Sequence, residues 1–260
     1  MSSDRTRTTI AAVLPPVVFG ALFVAAWQVW VEVKDVKPFV IPAPTAIIDS
    51  FFANVTLVRK ASTVTGVNAL VGLIGGSVAG FVVAVLTNRF RIVSDLIDPL
   101  AVTIAAIPAV VIVGVLNNMY ALDSQIGRRL MVTIAVFFIV FVQVVKGLRQ
   151  NDATQLELMR SYAATPRQTL LKVRLPNTMP YFFTAVRTAA PIAVIIALVS
   201  EYFGGTQNGL GSKISGTLNG SNKALGFAYV LGGTIVGLLF FAGSALLERY
   251  VVSWRRRTPG

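Results

Sequence analysis

Along this chain, long apolar blocks alternate with short polar stretches, and the blocks have the length of membrane crossings. Residues 10–31, 65–86, 100–116, 130–145, 181–199 and 225–247 carry no charge except Arg187, and about 17 to 25 such residues span a bilayer as a helix. The pattern predicts an all-α polytopic membrane helix bundle, one domain over residues 1–260 with about six transmembrane helices. The third and fourth blocks are near the lower limit of length, which leaves five spans as the alternative. The first block is too long for a signal h-region and no A-x-A-like cleavage site follows it, so it is expected to stay as an anchor.

The polar stretches differ from one another. Residues 32–64 are mixed: Ile41-Pro42-Ala43-Pro44-Thr45 opens a segment in which Ile47, Ile48, Phe51, Phe52 and Val55 recur at helical spacing, with Thr45 as a candidate cap. This reads as an amphipathic connector at the outer interface. Residues 151–180 form the longest polar interruption and carry helix signals. Asp152 is placed to cap a short helix through Leu156, Met159 and Tyr162, with Glu157 and Arg160 paired at i,i+3. Thr165-Pro166-Arg167-Gln168 reads as a capping box with proline at the first helical position. Leu175-Pro176 is expected to close this second helix, since proline has no N–H to continue the ladder. Residues 201–223 form a glycine-rich external loop. It lacks G-x-x-x-x-G-K-[ST], and Gly209-Leu210-Gly211 lacks the third glycine and preceding strand of a dinucleotide fingerprint, so no nucleotide site is expected there.

Inside the blocks, Gly72, Gly76 and Gly80 share one helical face, and Gly233 and Gly237 repeat the spacing. Such faces let backbones approach closely, either within one bundle or between subunits. Pro108 and Pro191 are expected to kink their helices, and Asn117 and Asn118 are polar neighbours at a membrane edge. With Arg187, these four are pathway candidates. Arg187 either snorkels to the interface or contacts a neighbouring loop; an anion-binding role is the alternative.

Composition narrows the chemistry. The chain is 55% hydrophobic with mean hydropathy +0.72, and it has neither cysteine nor histidine. Thiolate and imidazole metal sites, Cys nucleophiles and Ser–His pairs are therefore excluded from its own residues, and no catalytic or metal residue is assigned. The net charge of +12 is dispersed between apolar blocks rather than striped along one face, which argues against nucleic acid. With the N-terminus inside, fourteen Lys and Arg fall on the cytoplasmic side and eight outside. Both termini and residues 151–180 are thereby expected in the cytoplasm.

Taken in order, several short motifs resemble one family. Glu157-Leu158-Met159, Ala163 and Leu175-Pro176 are spaced like the EAA loop, E-A-A-x3-G-x11-L-P, of membrane subunits in binding-protein-dependent ABC importers. Ile41-Pro42-Ala43-Pro44 is similar to the family's L-P-S-P. Leu96-Ile97-Asp98-Pro99-Leu100 is similar to its L-L-D-P-L, and Ala106-Ile107-Pro108-Ala109 to its A-I-P-A. Val199-Ser200-Glu201 and Gly209-Leu210-Gly211 resemble its V-A-E and S-G-L-G, a set like that of the sulfonate, taurine, nitrate and pyrimidine-precursor branch.

The resemblance implies a non-catalytic permease of a bacterial cytoplasmic (inner) membrane, forming half of a substrate pathway. ABC ATPase subunits holding ATP and Mg would dock on the coupling loop, through Glu157, Leu158, Met159, Arg160, Ala163, Thr165, Pro166, Leu175 and Pro176. An extracytoplasmic substrate-binding protein would deliver a small anion or heterocycle to the side of Glu201, Gly209, Leu210 and Gly211. The chain departs from the family at Leu158 and Met159, and at Ala163 where glycine is usual, so the turn is expected to be built differently or shifted to Thr165-Pro166. The family's W-F-G-I-G-like segment is also missing near Asn117-Asn118-Met119-Tyr120. These departures favour a non-identical sister permease as partner; a homodimer is the alternative. Two other classes remain from the residues alone: an autonomous secondary transporter, for which the blocks offer few ionisable groups, and a membrane scaffold.

Overall fold

The computed structural model describes residues 2–87, 109–120, 124–204 and 208–252, which form helices and turns with no strand among the described residues. The helices are α1 (Ser2–Val33), α2 (Pro44–Ala53), α3 (Val55–Thr87), α4 (Ala109–Met119) and α5 (Ile126–Arg149). They continue with α6 (Ala153–Ser161), α7 (Pro166–Thr169), a π turn over Leu170–Arg174, α8 (Leu175–Tyr202), α9 (Leu210–Leu218) and α10 (Lys223–Val251). Among the described residues five helical segments are long and apolar enough to cross a membrane: Leu14–Val33, Val55–Thr87, Ile126–Arg149, Pro166–Tyr202 and Lys223–Val251. The third predicted block, 100–116, lies largely outside the described residues, as do Pro108 and the motifs at 96–100 and 106–108; α4 is its described part.

The core is the packing of α3, α5 and α8, with α10 closing against α8. Val132, Val136, Val140 and Val144 recur every four residues on α5 and are wholly buried. They meet the glycine face of α3: a methyl at Gly72 would strike Val132, one at Gly76 would lie 2.6 Å from the Thr133 carbonyl, and one at Gly80 would lie 2.8 Å from the Phe137 carbonyl. In lipid, close backbone approach supplies the dispersion that apolar burial supplies in water. This face therefore packs helices within the chain. Gly233 faces Leu198 of α8, whereas Gly237 has nothing within 4 Å.

Helix α1 stands at the edge. Leu14, Phe19, Leu22 and Phe23 are exposed, as suits a lipid-facing helix, and Trp27 meets Phe227 of α10. Thr45 does not cap α2. Pro44 takes the first turn, Ala43 becomes the cap, and the Gln28 side chain of α1 accepts from Thr45 N at 3.2 Å instead. The connector 32–64 is also shorter than expected, because Val55 onward already belongs to α3. That helix has 33 residues and is about 50 Å long, longer than the hydrocarbon core. Similarly, the glycine-rich loop 201–223 is not all loop: it contains α9, and Glu201 and Tyr202 still belong to α8.

The largest departure concerns Leu175-Pro176, which does not end a helix. Residues Pro166–Tyr202 form one helical rod of 37 residues. The π turn over Leu170–Arg174, closed by Leu175 N to Leu170 O, immediately precedes the proline. A wider turn there relieves the clash that an α-helical register would impose between the Pro176 ring and the Lys172 carbonyl. Pro180 and Pro191 also lie inside the rod without ending it.

Candidate functional site

At the Pro166 end of the rod, the sequence builds a compact unit. Asp152 Oδ1 accepts from Thr154 N at 2.9 Å and starts α6. The capping box at Thr165 is complete: Thr165 N donates to Gln168 Oε1 at 2.8 Å and Gln168 N donates to Thr165 Oγ1 at 3.3 Å. Between them Ala163 itself takes the left-handed conformation, φ 48°. Ala163 N bonds Arg160 O at 2.9 Å and Ala164 N bonds Met159 O at 3.0 Å, the paired bonds of a Schellman ending. The turn is thus built at Ala163 in glycine's conformation, not shifted to Thr165-Pro166. Glu157 and Arg160 form no ion pair in the structure; both are exposed.

Asn177 Nδ2 donates to Gln155 Oε1 at 2.8 Å and pins this unit to α8, while Tyr181 Oη donates to Gln150 Oε1 at 2.8 Å and ties α8 to the end of α5. It nevertheless leaves Leu158, Tyr162 and Leu171 largely exposed. Arg160, Arg167 and Arg174 line an adjoining cavity with Leu156 and Leu170.

At the other end of the rod, Glu201 is wholly buried. Its carboxylate accepts from Thr65 Oγ1 at 2.7 Å, Asn68 Nδ2 at 3.1 Å and Gly211 N at 3.1 Å. Thr65 Oγ1 in turn accepts from Leu210 N at 2.8 Å. Asn68 Nδ2 also reaches Gln125 Oε1, and Asn68 Oδ1 accepts from Arg129 Nε at 3.1 Å. Arg128, 1% exposed, donates to the carbonyls of Ser124 and Gly204, each at 3.0 Å. One polar hub therefore joins α3, the start of α5, the end of α8 and the start of α9. A carboxylate satisfied by three donors tolerates burial, whereas an unpaired one would not.

The G-L-G sequence has a physical reason here. A methyl at Gly211 would lie 2.8 Å from Glu201 Cβ and from Tyr202 N, and one at Gly209 would run into the Glu201 carboxylate. Leu210, between them, is wholly buried. Glu201, Gly209, Leu210 and Gly211 are accordingly brought together, inside the protein rather than on its surface.

Of the pathway candidates, Arg187 and Pro191 have described side chains. Arg187 Nη1 donates to Glu248 Oε2 of α10 at 3.1 Å and stands 5.2 Å above the Phe241 ring. Its partner is on the neighbouring helix α10 and not on a loop. Thr184 Oγ1 binds the other Glu248 oxygen at 2.8 Å. Pro191 lines an apolar groove with Gly233, Gly237, Leu238 and Phe241. Asn117 and Asn118 fall within α4. Sequence reading missed Thr65, Asn68, Gln125, Arg128 and Arg129. The available signal was that Thr65 and Asn68 are polar, three residues apart in an otherwise apolar block, and hence on one face.

The family model for the binding-protein-dependent transport system inner membrane component matches residues 76–257, more than half of the chain. The chain belongs to this family. It is a multi-pass inner-membrane permease, a non-catalytic subunit of an ABC importer. The permease is 26% identical over 247 residues to the formylaminopyrimidine transport permease of Halalkalibacterium halodurans, covering 94% of this chain and 97% of the relative. It is 24% identical over 242 residues to a Bacillus subtilis permease named for aliphatic sulfonates transport, covering 92% of this chain and 87% of the relative. A crystal structure of an amino acid ABC transporter with histidines superposes with a TM-score of 0.63, at 15% identity, over 78% of this permease and 97% of that chain; the likeness shows a shared helical fold. For this permease the family implies an ATPase and a substrate-binding protein as partners.

Proposed function

We propose that this permease forms half of the pathway of an ATP-driven importer, and that Asn151 to Pro176 is its coupling site for a cytoplasmic ATPase. In this reading both termini are cytoplasmic, a second permease, by preference a non-identical sister, completes the pathway, and ATP and Mg2+ are held by the ATPase. The substrate is a small anion or heterocycle received from a binding protein at the Glu201 end. The orientation rests on the excess of Lys and Arg on the side of the termini.

The observation that carries the coupling assignment is the pairing of exposed apolar side chains with a continuous helical rod. Leu158, Tyr162 and Leu171 are 55%, 75% and 52% exposed on a fully capped unit, and exposed apolar residues grouped on an ordered surface mark contact sites. Because the second helix of the unit is continuous with α8, a push on the unit is carried along one helix toward the Glu201 hub. Purification of the intact transporter tests the assignment. Glu157→Lys and Leu158→Asp are expected to insert normally yet lower the co-purifying ATPase about tenfold, the loss of one good contact. Unchanged substrate-stimulated ATP hydrolysis in both variants would refute it.

A further inference from the structure

Between α3, α9 and α10, at the Glu201 end, lies a cavity of about 840 Å3. Arg59 and Lys60 of α3 and Lys213 of α9 line it, together with the neutral donors Thr63, Asn208 and Tyr229. No carboxylate among the described residues lines it, and none of the three cations has an ion-pair partner among them. Three like charges gathered on one cavity repel, and an anion placed between them removes that repulsion. Hydroxyl and amide donors add directional hydrogen bonds suited to an oxygen-rich head. Leu57 and Val64 supply apolar wall beside them, and the floor is closed by Ala61 and Tyr229, 2% and 3% exposed.

We propose that this cavity is the entry subsite of the permease for a small organic oxyanion, a sulfonate or carboxylate on a short aliphatic stem. The proposal deepens the importer reading and rests on its orientation, which sets the cavity on the side facing the binding protein. Position connects it to the hub. Thr65, which donates to Glu201 and accepts from Leu210 N, is one turn below Ala61 and also contacts the Ala61 carbonyl at 3.3 Å. Lys213 sits one turn into the helix whose first turn Glu201 holds through Gly211 N. An oxyanion bridging Arg59 or Lys60 to Lys213 thus ties together the same two helices that Glu201 ties from beneath.

The test uses the whole transporter with its ATPase in phosphatidylcholine nanodiscs, titrated calorimetrically with sodium methanesulfonate against sodium chloride at constant ionic strength. Saturable methanesulfonate binding is expected in the wild type. It should weaken about tenfold or more in the double variant Arg59→Gln, Lys213→Gln, and recover to within about threefold in Lys213→Arg, as loss and return of charge-assisted bonds require. Equal binding by the double variant, or no saturable binding in the wild type, overturns the proposal. A phospholipid phosphate offers the same chemistry. Binding that vanishes when phosphatidylglycerol enters the discs would assign the cavity to a lipid headgroup and overturn the substrate assignment. Loss of the ATPase from the purified wild type would instead count against the importer reading, so the two failures are distinguishable.

Discussion

Ala163 holds a backbone conformation that costs an L-residue about 1–2 kcal/mol, at φ 48°, and it does so to close two hydrogen bonds at the end of α6. Ala163→Gly should therefore raise stability by about 0.5–1 kcal/mol after glycine's own entropy cost, while a β-branched Ala163→Val should lower it. Thermal unfolding of the purified protein in detergent checks both signs. Glu201 is the opposite case, a residue whose surroundings were built for it. Glu201→Ala removes an acceptor from Thr65 Oγ1 and Asn68 Nδ2, which keep Ala61 O and Gln125 Oε1, and strands Gly211 N in a buried site; it should cost about 1–3 kcal/mol. Glu201→Gln keeps the shape but adds donors where only acceptors fit, so an intermediate loss is expected. A Glu201→Ala protein as stable as wild type would show that the hub is not a structural tie.

The pairing of α3 with α5 depends on missing side chains. Gly76→Leu must displace the Thr133 carbonyl and Val136 and should destabilise by about 1–3 kcal/mol, the usual cost of overpacking. Gly237→Ala, with open space around it, should unfold at the wild-type temperature. What the sequence showed at this level followed range. The Asp152 cap, the Thr165 capping box and the apolar blocks depend on neighbours within a few residues, and they were legible. Leu175-Pro176 misled because proline's local rule forbids a continuing α-register but not a π turn, and only the packed rod selects between them. Arg128 and Arg129 precede the fourth apolar block and read as loop charges, yet they lie in the first turn of α5; the burial of Arg128 is decided by the carbonyl of Gly204, 76 positions later. The Thr65 and Asn68 partnership with Glu201 is longer still in sequence; their shared polar face announces a buried contact but not its partner.

Across the whole molecule, the rod of 37 residues from Pro166 to Tyr202 reaches from the coupling unit to the hub. Inserting Gly-Gly between Arg174 and Leu175 should leave the unit and its attachment to the ATPase intact but cut transport per ATP hydrolysed, measured in proteoliposomes. An insertion variant that transports at the wild-type ratio would remove the rod from the mechanism. The geometry of the rod also sets a scale. At 1.5 Å per residue it is about 55 Å long, so a tilt of about 5° pivoting at Pro166 sweeps its far end sideways by about 5 Å. That sideways displacement exceeds the 2.7 to 3.1 Å of the Glu201 hydrogen bonds, enough to part the carboxylate from its partners on α3. A long continuous helix is thus an amplifier as well as a strut: angular play too small to disturb the capped unit becomes, at Glu201, a parting of partners.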